Sequence, residues 1–287
     1  MNNLSISVLM TAFNREKYIS EAIESVISQT YQHFELIILD DSSSDKTYSI
    51  ACKYSLQDPR LKVFKNDVNI GQFANRNKIV NFANHDLLVY LDSDDTLSQN
   101  ALEYIIDCFL KYPNVSFATI CYDNEISPLA ILGPADIINH HFFKKSILHI
   151  GPSGTVIKKE LFQKINGFPV IYGPAGDAFY NIKAASNSSV ICMSYNYLNY
   201  RRHDGQEINN SLAYLHNGYR YFNDVLNIHE IPLLESQKKY LKLKNKRRFF
   251  VNSLKYLIKY KDLKKFRSAY SLAGFTGKDI FKAIFQW

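Results

Sequence analysis

The run Leu87-Leu88-Val89-Tyr90-Leu91 ends abruptly in Asp92-Ser93-Asp94-Asp95, so five apolar residues meet three carboxylates within four positions. A short apolar run bounded by polar residues reads as a buried strand, and open α/β sheets gather ligands at the carboxyl ends of their strands. Three clustered carboxylates repel one another unless a cation neutralises them. Oxygen donors with no cysteine beside them suit a hard ion such as Mg²⁺ or Mn²⁺. A solvated turn capping a helix draws on the same residue types, because Asp and Ser accept hydrogen bonds from free backbone N–H groups. Taken alone, the cluster leaves both readings open.

The surrounding pattern favours a sheet with helices on both faces. Leu4, Ile6, Val8 and Met10 alternate with Ser5 and Ser7 as in a strand, and Tyr18, Ile19, Ala22, Ile23, Val26 and Ile27 then recur at helical spacing, with Asn14 as a candidate cap. Leu36 to Leu39 reads as a second strand ending in Asp40-Asp41. A helix through Thr47, Ile50, Ala51 and Tyr54 follows, then a strand at 61–64, a helix at 73–83 and the strand at 87–91. A further helix carries Leu102, Ile105, Ile106, Phe109 and Leu110, and a strand spans 115–120. Strands alternating with helices of this length predict a mostly parallel sheet. The polar junctions at Thr11 to Asn14, Asp40-Asp41 and Asp92 to Asp95 are then candidates for one shared site. Between Tyr122 and Gly176 the alternation fades into segments rich in Gly, Pro and His, which predicts a less regular, substrate-facing half; past Leu212 the pattern is helical.

With 287 residues and 46% hydrophobic content the chain can bury a full core, which excludes a disordered protein. Cys52, Cys108, Cys121 and Cys192 are scattered without a C-x-x-C pair, which fits a reducing cytoplasm. Met1-Asn2-Asn3 opens no basic-then-apolar leader, so a secretory signal is not expected, and no apolar run approaches the roughly 20 residues that span a bilayer. The net charge of +7 divides unevenly: residues 236–287 carry 15 Lys or Arg against Asp262 and Asp279, while residues 1–235 are net acidic.

Several motifs in order resemble glycosyltransferase family 2 over roughly residues 4–205. They are Val8-Leu9-Met10-Thr11-Ala12-Phe13-Asn14, the segment from Ala22 to Gln29-Thr30, and the stretch from Phe34 through Asp40-Asp41-Ser42-Ser43-Ser44-Asp45. Asn69-Ile70-Gly71 with Asn75-Arg76-Asn77, and Leu91-Asp92-Ser93-Asp94-Asp95, complete the set. The resemblance implies a GT-A fold, a Rossmann-like, mostly parallel α/β sheet flanked by helices. It divides the chain into a GT-A domain over 1–215, with a donor half to about 121 and an acceptor half over about 122–215, and a basic helical C-terminal extension over 216–287.

By that resemblance Thr11, Ala12 and Phe13 contact the nucleoside, Asp41 accepts the uracil ring N–H, and Arg76 stands near the donor. Asn75 replaces the commoner Ala of that motif. Asp92 and Ser93 face the ribose and donor sugar, and Asp94 binds a Mn²⁺ or Mg²⁺ ion that neutralises the departing nucleoside diphosphate. Asp95 is assigned to capping the following helix. Gly167-Phe168 resembles the stretch before the family's catalytic acid, and Gly176-Asp177 stands where Glu-Asp is commoner, so Asp177 is the implied general base of an inverting transfer. Tyr200-Arg201-Arg202-His203 resembles a loop over the donor, with His203 as a metal ligand or on the diphosphate and one arginine on phosphate; a solvated basic loop has the same composition. His140, His141 and His149 lack evident acidic partners and read as acceptor-side or structural.

The expected function is transfer of a sugar from a nucleotide-diphosphate donor, a UDP-sugar, to a hydroxyl of a glycan or lipid-linked glycan in bacterial surface polysaccharide synthesis. Two other classes compete. Asp92-Ser93-Asp94-Asp95-Thr96 also fits the D-x-D-x-T pattern of haloacid-dehalogenase-type phosphatases with Asp92 as nucleophile, although that signature normally follows the first strand. A non-catalytic nucleotide-sugar-binding module is the other. The tail from Lys242 to Lys261 interleaves lysines and arginines with Phe249, Phe250, Leu254, Leu257 and Ile258, a basic amphipathic pattern. Residues 238–267 could therefore lie peripherally on the anionic inner face of the cell membrane, or pack on the enzyme body with their lysines in water. Nucleic acid is not an expected partner, because no binding module accompanies the charge.

Overall fold

A computed structural model describes residues 4–193, 197–203 and 210–285; Met1-Asn2-Asn3, on which the reading of the leader rested, lie outside the described residues. The chain begins with β1 (Ile6–Ala12), α1 (Ile19–Ile27), β2 (Phe34–Asp40), α2 (Thr47–Ser55) and β3 (Leu61–Lys65). It then forms α3 (Gln72–Ile79), β4 (Leu87–Asp92), β5 (Thr96–Leu97), α4 (Ala101–Lys111) and β6 (Phe117–Ile120). The alternation predicted for this half is therefore present. The helix expected at 73–83 is shorter, with a 3₁₀ turn over Val80–Phe82 finishing it.

The stretch over 122–176, where the alternation fades, contains β7 (Ala130–Leu132), α5 (Pro134–Phe143), β8 (Thr155–Lys158) and α6 (Lys159–Lys164), and α7 (Gly176–Asn187) and β9 (Val190–Met193) follow it. The strands among them are three or four residues long and pair with partners distant in sequence, so local periodicity does not reveal them. After β10 (Leu198–Asn199) the described elements are all helices: α8 (Ser211–Val225), α9 (Glu235–Tyr260), α10 (Leu263–Ala273) and α11 (Gly277–Phe285).

Eight strands form one sheet in the order β3-β2-β1-β4-β8-β6-β9-β7, and β5 pairs with β10 beside it. β1 to β4 run parallel, and β8 and β7 run against their neighbours. The fold is thus α/β with a mostly parallel sheet and a helical C-terminal extension, as expected. Alternate residues of each strand enter opposite layers. Ile6, Val8, Met10, Leu36, Ile38, Val89 and Leu91 join α1, α2 and α4 on one face; Leu9, Ile37, Leu39, Leu88 and Tyr90 pack with α5, α7 and α8 on the other. Burial on both sides is why these strands read as continuous apolar runs.

The chain leaves β1 toward β2 and β3, then returns to β4 on the opposite side of β1. That reversal opens a crevice at the carboxyl ends of β1 and β4. Register brings Thr11 opposite Asp92 and Ala12 opposite Asp40, so junctions far apart in sequence share one edge.

Two expected caps are corrected. Asn14 does not cap α1, which starts at Ile19; it sits at φ 51° and its Oδ1 accepts the Ser44 amide at 2.9 Å. Asp95 does not cap a helix either, because β5 follows it and α4 begins at Ala101.

Candidate active site

The site is built on the strand ends. Asp41, buried at the end of β2, accepts from Asn66 Nδ2 at 2.8 Å and from the backbone N–H groups of Ile70 at 3.0 Å and Gly71 at 2.9 Å. Three donors fix the carboxylate at the crevice, and Oδ2, with one of them, retains accepting capacity. Gly71, at φ 87°, makes this turn in a backbone region that L side chains rarely adopt. Asn75 is buried and donates to the Leu39 carbonyl at 3.0 Å while accepting from Asn66 at 2.9 Å. Its amide ties α3 to the end of β2, work the commoner Ala could not do. Asp40 and Asp45 serve local structure, Asp40 accepting Ser43 N–H and Asp45 accepting Thr47 N–H at the start of α2.

At the end of β4 the three carboxylates part company. Arg76 Nη2 meets Asp92 Oδ1 at 2.5 Å. Burial disfavours the guanidinium charge, but Asp92 outweighs it and holds the Arg76 pKa above its ordinary value. The Asp92 amide donates to the buried Ser153 hydroxyl at 2.9 Å. Asp94 Oδ2 receives both Arg15 Nε at 2.9 Å and His203 Nε2 at 3.0 Å. The structure therefore brings His203 to Asp94, with its ring stacked on Tyr18 at 4.6 Å. Asp95 accepts the Arg201 amide at 3.0 Å and so anchors that loop. Burial chiefly, and then the neighbouring Asp92 and Asp94, push its carboxyl up to about 7.

Across the crevice Asp177 stands in the first turn of α7, its Oδ1 accepting the Ala178 amide at 2.7 Å. Loss of hydration lifts its pKa to about 6; the Ala178 N–H and Arg76 pull it down, and Asp92 pushes it up. The half-buried residue lines the crevice. Phe73 explains the neighbouring glycine: a Cβ on Gly176 would lie 2.7 Å from the Phe73 ring. Asn77 clamps the Gly167-Phe168 turn from both sides, accepting the Phe168 amide and donating to its carbonyl at 2.8 Å each.

One cavity of about 1100 Å³ collects Thr11, Ala12, Phe13, Asp41, Arg76, Asp92, Ser93, Asp94 and Asp177. Every site residue expected from sequence lines it except His203, which reaches it through Asp94. The residues a local reading missed are Arg15, Ser153 and Arg248. Arg15 follows the β1 motif directly, but its partner lies 79 positions away. Arg248 belongs to the tail, whose lysines drew attention to membranes instead.

Glycosyl transferase family 2 matches residues 7–165, more than half of the chain. The chain belongs to this family. Among curated relatives, it is 38% identical over 117 residues to a UDP-Glc:alpha-D-GlcNAc-diphosphoundecaprenol beta-1,3-glucosyltransferase, WfgD of Escherichia coli, covering 41% of this chain and 45% of the relative. It is 28% identical over 180 residues to the glycosyltransferase GlyG of Streptococcus pneumoniae, covering 56% and 59%. The chain thus spans about half the length of the curated relatives it matches. The fold is similar to S. aureus TarS in complex with UDP-GlcNAc, with a TM-score of 0.73 at 20% identity over 98% of this chain and 82% of that one. A mannosyltransferase of Pyrobaculum calidifontis in complex with GDP-Man and Mn²⁺ gives 0.64 at 15% identity, covering 98% and 87%. As a family 2 glycosyltransferase the chain departs from the phosphatase reading, and its D-x-D-x-T stretch follows the fourth strand rather than the first.

The extension of this family 2 member packs on the body. Leu241, Asn245, Phe249 and Ser253 recur every fourth residue along α9 and are buried; Leu241 joins the core beneath the sheet, and Gln237 Nε2 donates to Asn139 Oδ1 of α5 at 3.0 Å. Lys246 meets Asp279 of α11 at 2.6 Å. No described helix is long and apolar enough to cross a membrane. The histidine cluster also has an acidic partner that the sequence did not reveal: His140 Nε2 lies 2.7 Å from Asp123 Oδ2. His141 is buried and held neutral, its Nδ1 accepting the Leu148 amide.

Proposed function

We propose that the chain is an inverting glycosyltransferase that moves a sugar from a nucleotide-diphosphate donor, a UDP-sugar, to a hydroxyl of a glycan or lipid-linked glycan in bacterial surface polysaccharide synthesis. The supporting observation is the meeting in one cavity of the strand-end carboxylates and Asp177, a carboxylate with a raised pKa of about 6. The names of the relatives support the same reading, since WfgD is described as a UDP-Glc-dependent transferase and TarS is seen with UDP-GlcNAc.

In this reading Thr11, Ala12 and Phe13 hold the nucleoside, and the spare acceptor on Asp41 takes the uracil N–H. Asp92, braced by Arg76 and Ser153, faces the ribose and sugar beside Ser93. Asp94 Oδ2 and His203 Nε2 lie 3.0 Å apart; the carboxylate suits a divalent Mn²⁺ or Mg²⁺ ion, and the imidazole beside it is the second protein group that would hold one. Among the described residues no group of three or more His, Cys, Asp or Glu could hold a metal, and Asp94 and His203 would hold the ion together with the donor's phosphates. A bound ion supplies charge neutralisation for the departing diphosphate. Asp177 removes the acceptor hydroxyl proton as the oxygen attacks the anomeric carbon and the nucleoside diphosphate leaves from the opposite face. A carboxylate near pKa 6 is largely ionised at neutral pH and a better base than an unperturbed Asp.

We assign residues 1–215 to the catalytic domain and 216–287 to an extension that completes the cavity wall through Asn245, Arg248, Phe249 and Asn252. Its outward lysines suit the anionic inner face of a cell membrane. A panel of nucleotide sugars with Mn²⁺, read by thermal stabilisation and slow donor hydrolysis, tests the function. One UDP-sugar should raise the melting temperature and be hydrolysed; no response to any nucleotide sugar refutes the reading.

A further inference from the structure

A second cavity of about 430 Å³ adjoins the active site between α5 and α9, within the usual size range of ligand pockets. Its floor is apolar, formed by Phe142, Phe222 and Leu241, all buried, with the half-exposed Val251 beside them. Lys244, Arg247 and Arg248 form its rim, and among the described residues no carboxylate lines it. Leu241, Lys244, Arg248 and Val251 recur at helical spacing, so one stripe of α9 supplies both the floor and the charge.

The cavity is continuous with the active site. His149, Arg248 and Asn252 line both spaces, and His149 Nε2 lies 2.8 Å from the Tyr221 hydroxyl, which also lines the Asp177 cavity. Arg248 is braced at the junction, its Nη2 donating to Asn245 Oδ1 at 3.0 Å and its guanidinium 4.8 Å from the centre of the Phe222 ring. The dehydrated surroundings, and secondly Arg248, hold the His149 pKa below its ordinary value, so that ring adds no charge at neutral pH. A neutral glycan would leave the cationic rim unmatched and the apolar floor wet. A phosphate joined directly to a hydrocarbon matches both.

We propose that this second cavity is an acceptor subsite that takes the phosphate and first hydrocarbon segment of a lipid phosphate, so that the attached sugar reaches Asp177. The role as an acceptor subsite rests on the glycosyltransferase reading; the affinity for an amphiphilic phosphate does not. The tail's basic residues then have a specific use. They hold the acceptor's head group where the two cavities join.

Calorimetric titration of the full chain with farnesyl monophosphate below its micelle concentration, and in parallel with inorganic phosphate and with farnesol, tests the site. Farnesyl phosphate should bind at least about tenfold more tightly than either part alone, and saturating UDP should not displace it. Lys244→Glu, a charge reversal at an exposed position, and Arg248→Ala should each weaken it about tenfold. Displacement by UDP, equal affinity for inorganic phosphate, or unchanged affinity in both variants overturns the proposal. Binding of UDP-sugars without binding of farnesyl phosphate refutes the subsite alone. Binding of farnesyl phosphate without any nucleotide sugar refutes the transferase reading and leaves the amphiphile site standing.

Discussion

Arg76 Nη2 and Asp92 Oδ1 lie 2.5 Å apart, and the same guanidinium lowers the pKa of Asp177 across the crevice. One buried cation thus steadies the carboxylate proposed to face the donor and restrains the proton affinity of the proposed base. Replacing it by Arg76→Gln removes both effects. Donor affinity should fall by about 1–3 kcal/mol as Asp92 loses its partner, and the acid limb of kcat/KM should move to higher pH because Asp177 loses a charge that favours its anion. A pH–rate profile of the variant with an unmoved acid limb would separate Arg76 from Asp177.

As the proposed base, Asp177 should set the pH dependence of transfer. Its pKa is raised to about 6, and a base works only when deprotonated, so transfer should rise with pH through about 6 and level off above it. Asp177→Asn should retain UDP binding yet lower kcat by about 10²–10⁴-fold. A fully active Asn variant would move the base elsewhere, and the profile and the variant together distinguish a base from a helix-end carboxylate.

Gly176 and Phe73 form a size-matched pair. The Cβ of Gly176→Ala would lie 2.7 Å from a buried ring, and overpacking of this kind costs about 1–3 kcal/mol. Phe73→Leu frees that space, so the double variant should be more stable than the sum of the single losses predicts. Thermal or urea melts of the four proteins check this, and strict additivity would mean that the two sites relax independently.

That pair also marks how far the sequence could be read. The strands at 6–12, 34–40 and 87–92 were legible because burial on both faces leaves unbroken apolar runs, and their polar ends located Thr11, Asp41, Asp92 and Asp94. Asp95 was misread because Asp before a turn looks the same whether it caps a helix or accepts from a loop 106 residues away. Arg15 escaped notice for a similar reason, its role depending on Asp94 and not on its neighbours in the chain. The same holds for Asp123 with His140 and for Arg248 beside the cavity: composition shows the charge, and only packing gives its direction.

Asp94 is the residue on which the proposed metal role can be tested. Arg15 and His203 share its Oδ2, so its carboxylate already attracts cationic and imidazole partners. Asp94→Asn removes the charge at nearly constant shape. Stabilisation by Mn²⁺ in the presence of UDP, measured as a shift in melting temperature, should disappear in this variant. If the shift persists unchanged, the ion is held elsewhere and His203 loses its assigned role.

Glu35 offers a test of stability away from the chemistry. Its buried carboxylate joins three strands, accepting from Ser7 Oγ at 2.7 Å, from Asn84 N and Nδ2 at 2.6 and 2.7 Å, and from Lys62 Nζ at 2.9 Å. Burial alone would raise its pKa, but Lys62 and these hydrogen bonds outweigh it and lower the value from 4.5 to about 2. A carboxyl whose folded pKa is depressed stabilises the fold fully above its unfolded value, and the contribution is lost as pH falls from about 4.5 toward 2. Glu35→Ala leaves the buried Ser7 hydroxyl without its acceptor, while the exposed Asn84 donors turn to water, and should cost about 1–3 kcal/mol at neutral pH. Urea titrations at pH 7 and pH 3 should show the gap between wild type and variant narrowing at the lower pH, because wild-type Glu35 has by then given up part of its advantage. A gap of constant size would mean that packing, and not the ionised carboxylate, accounts for the loss.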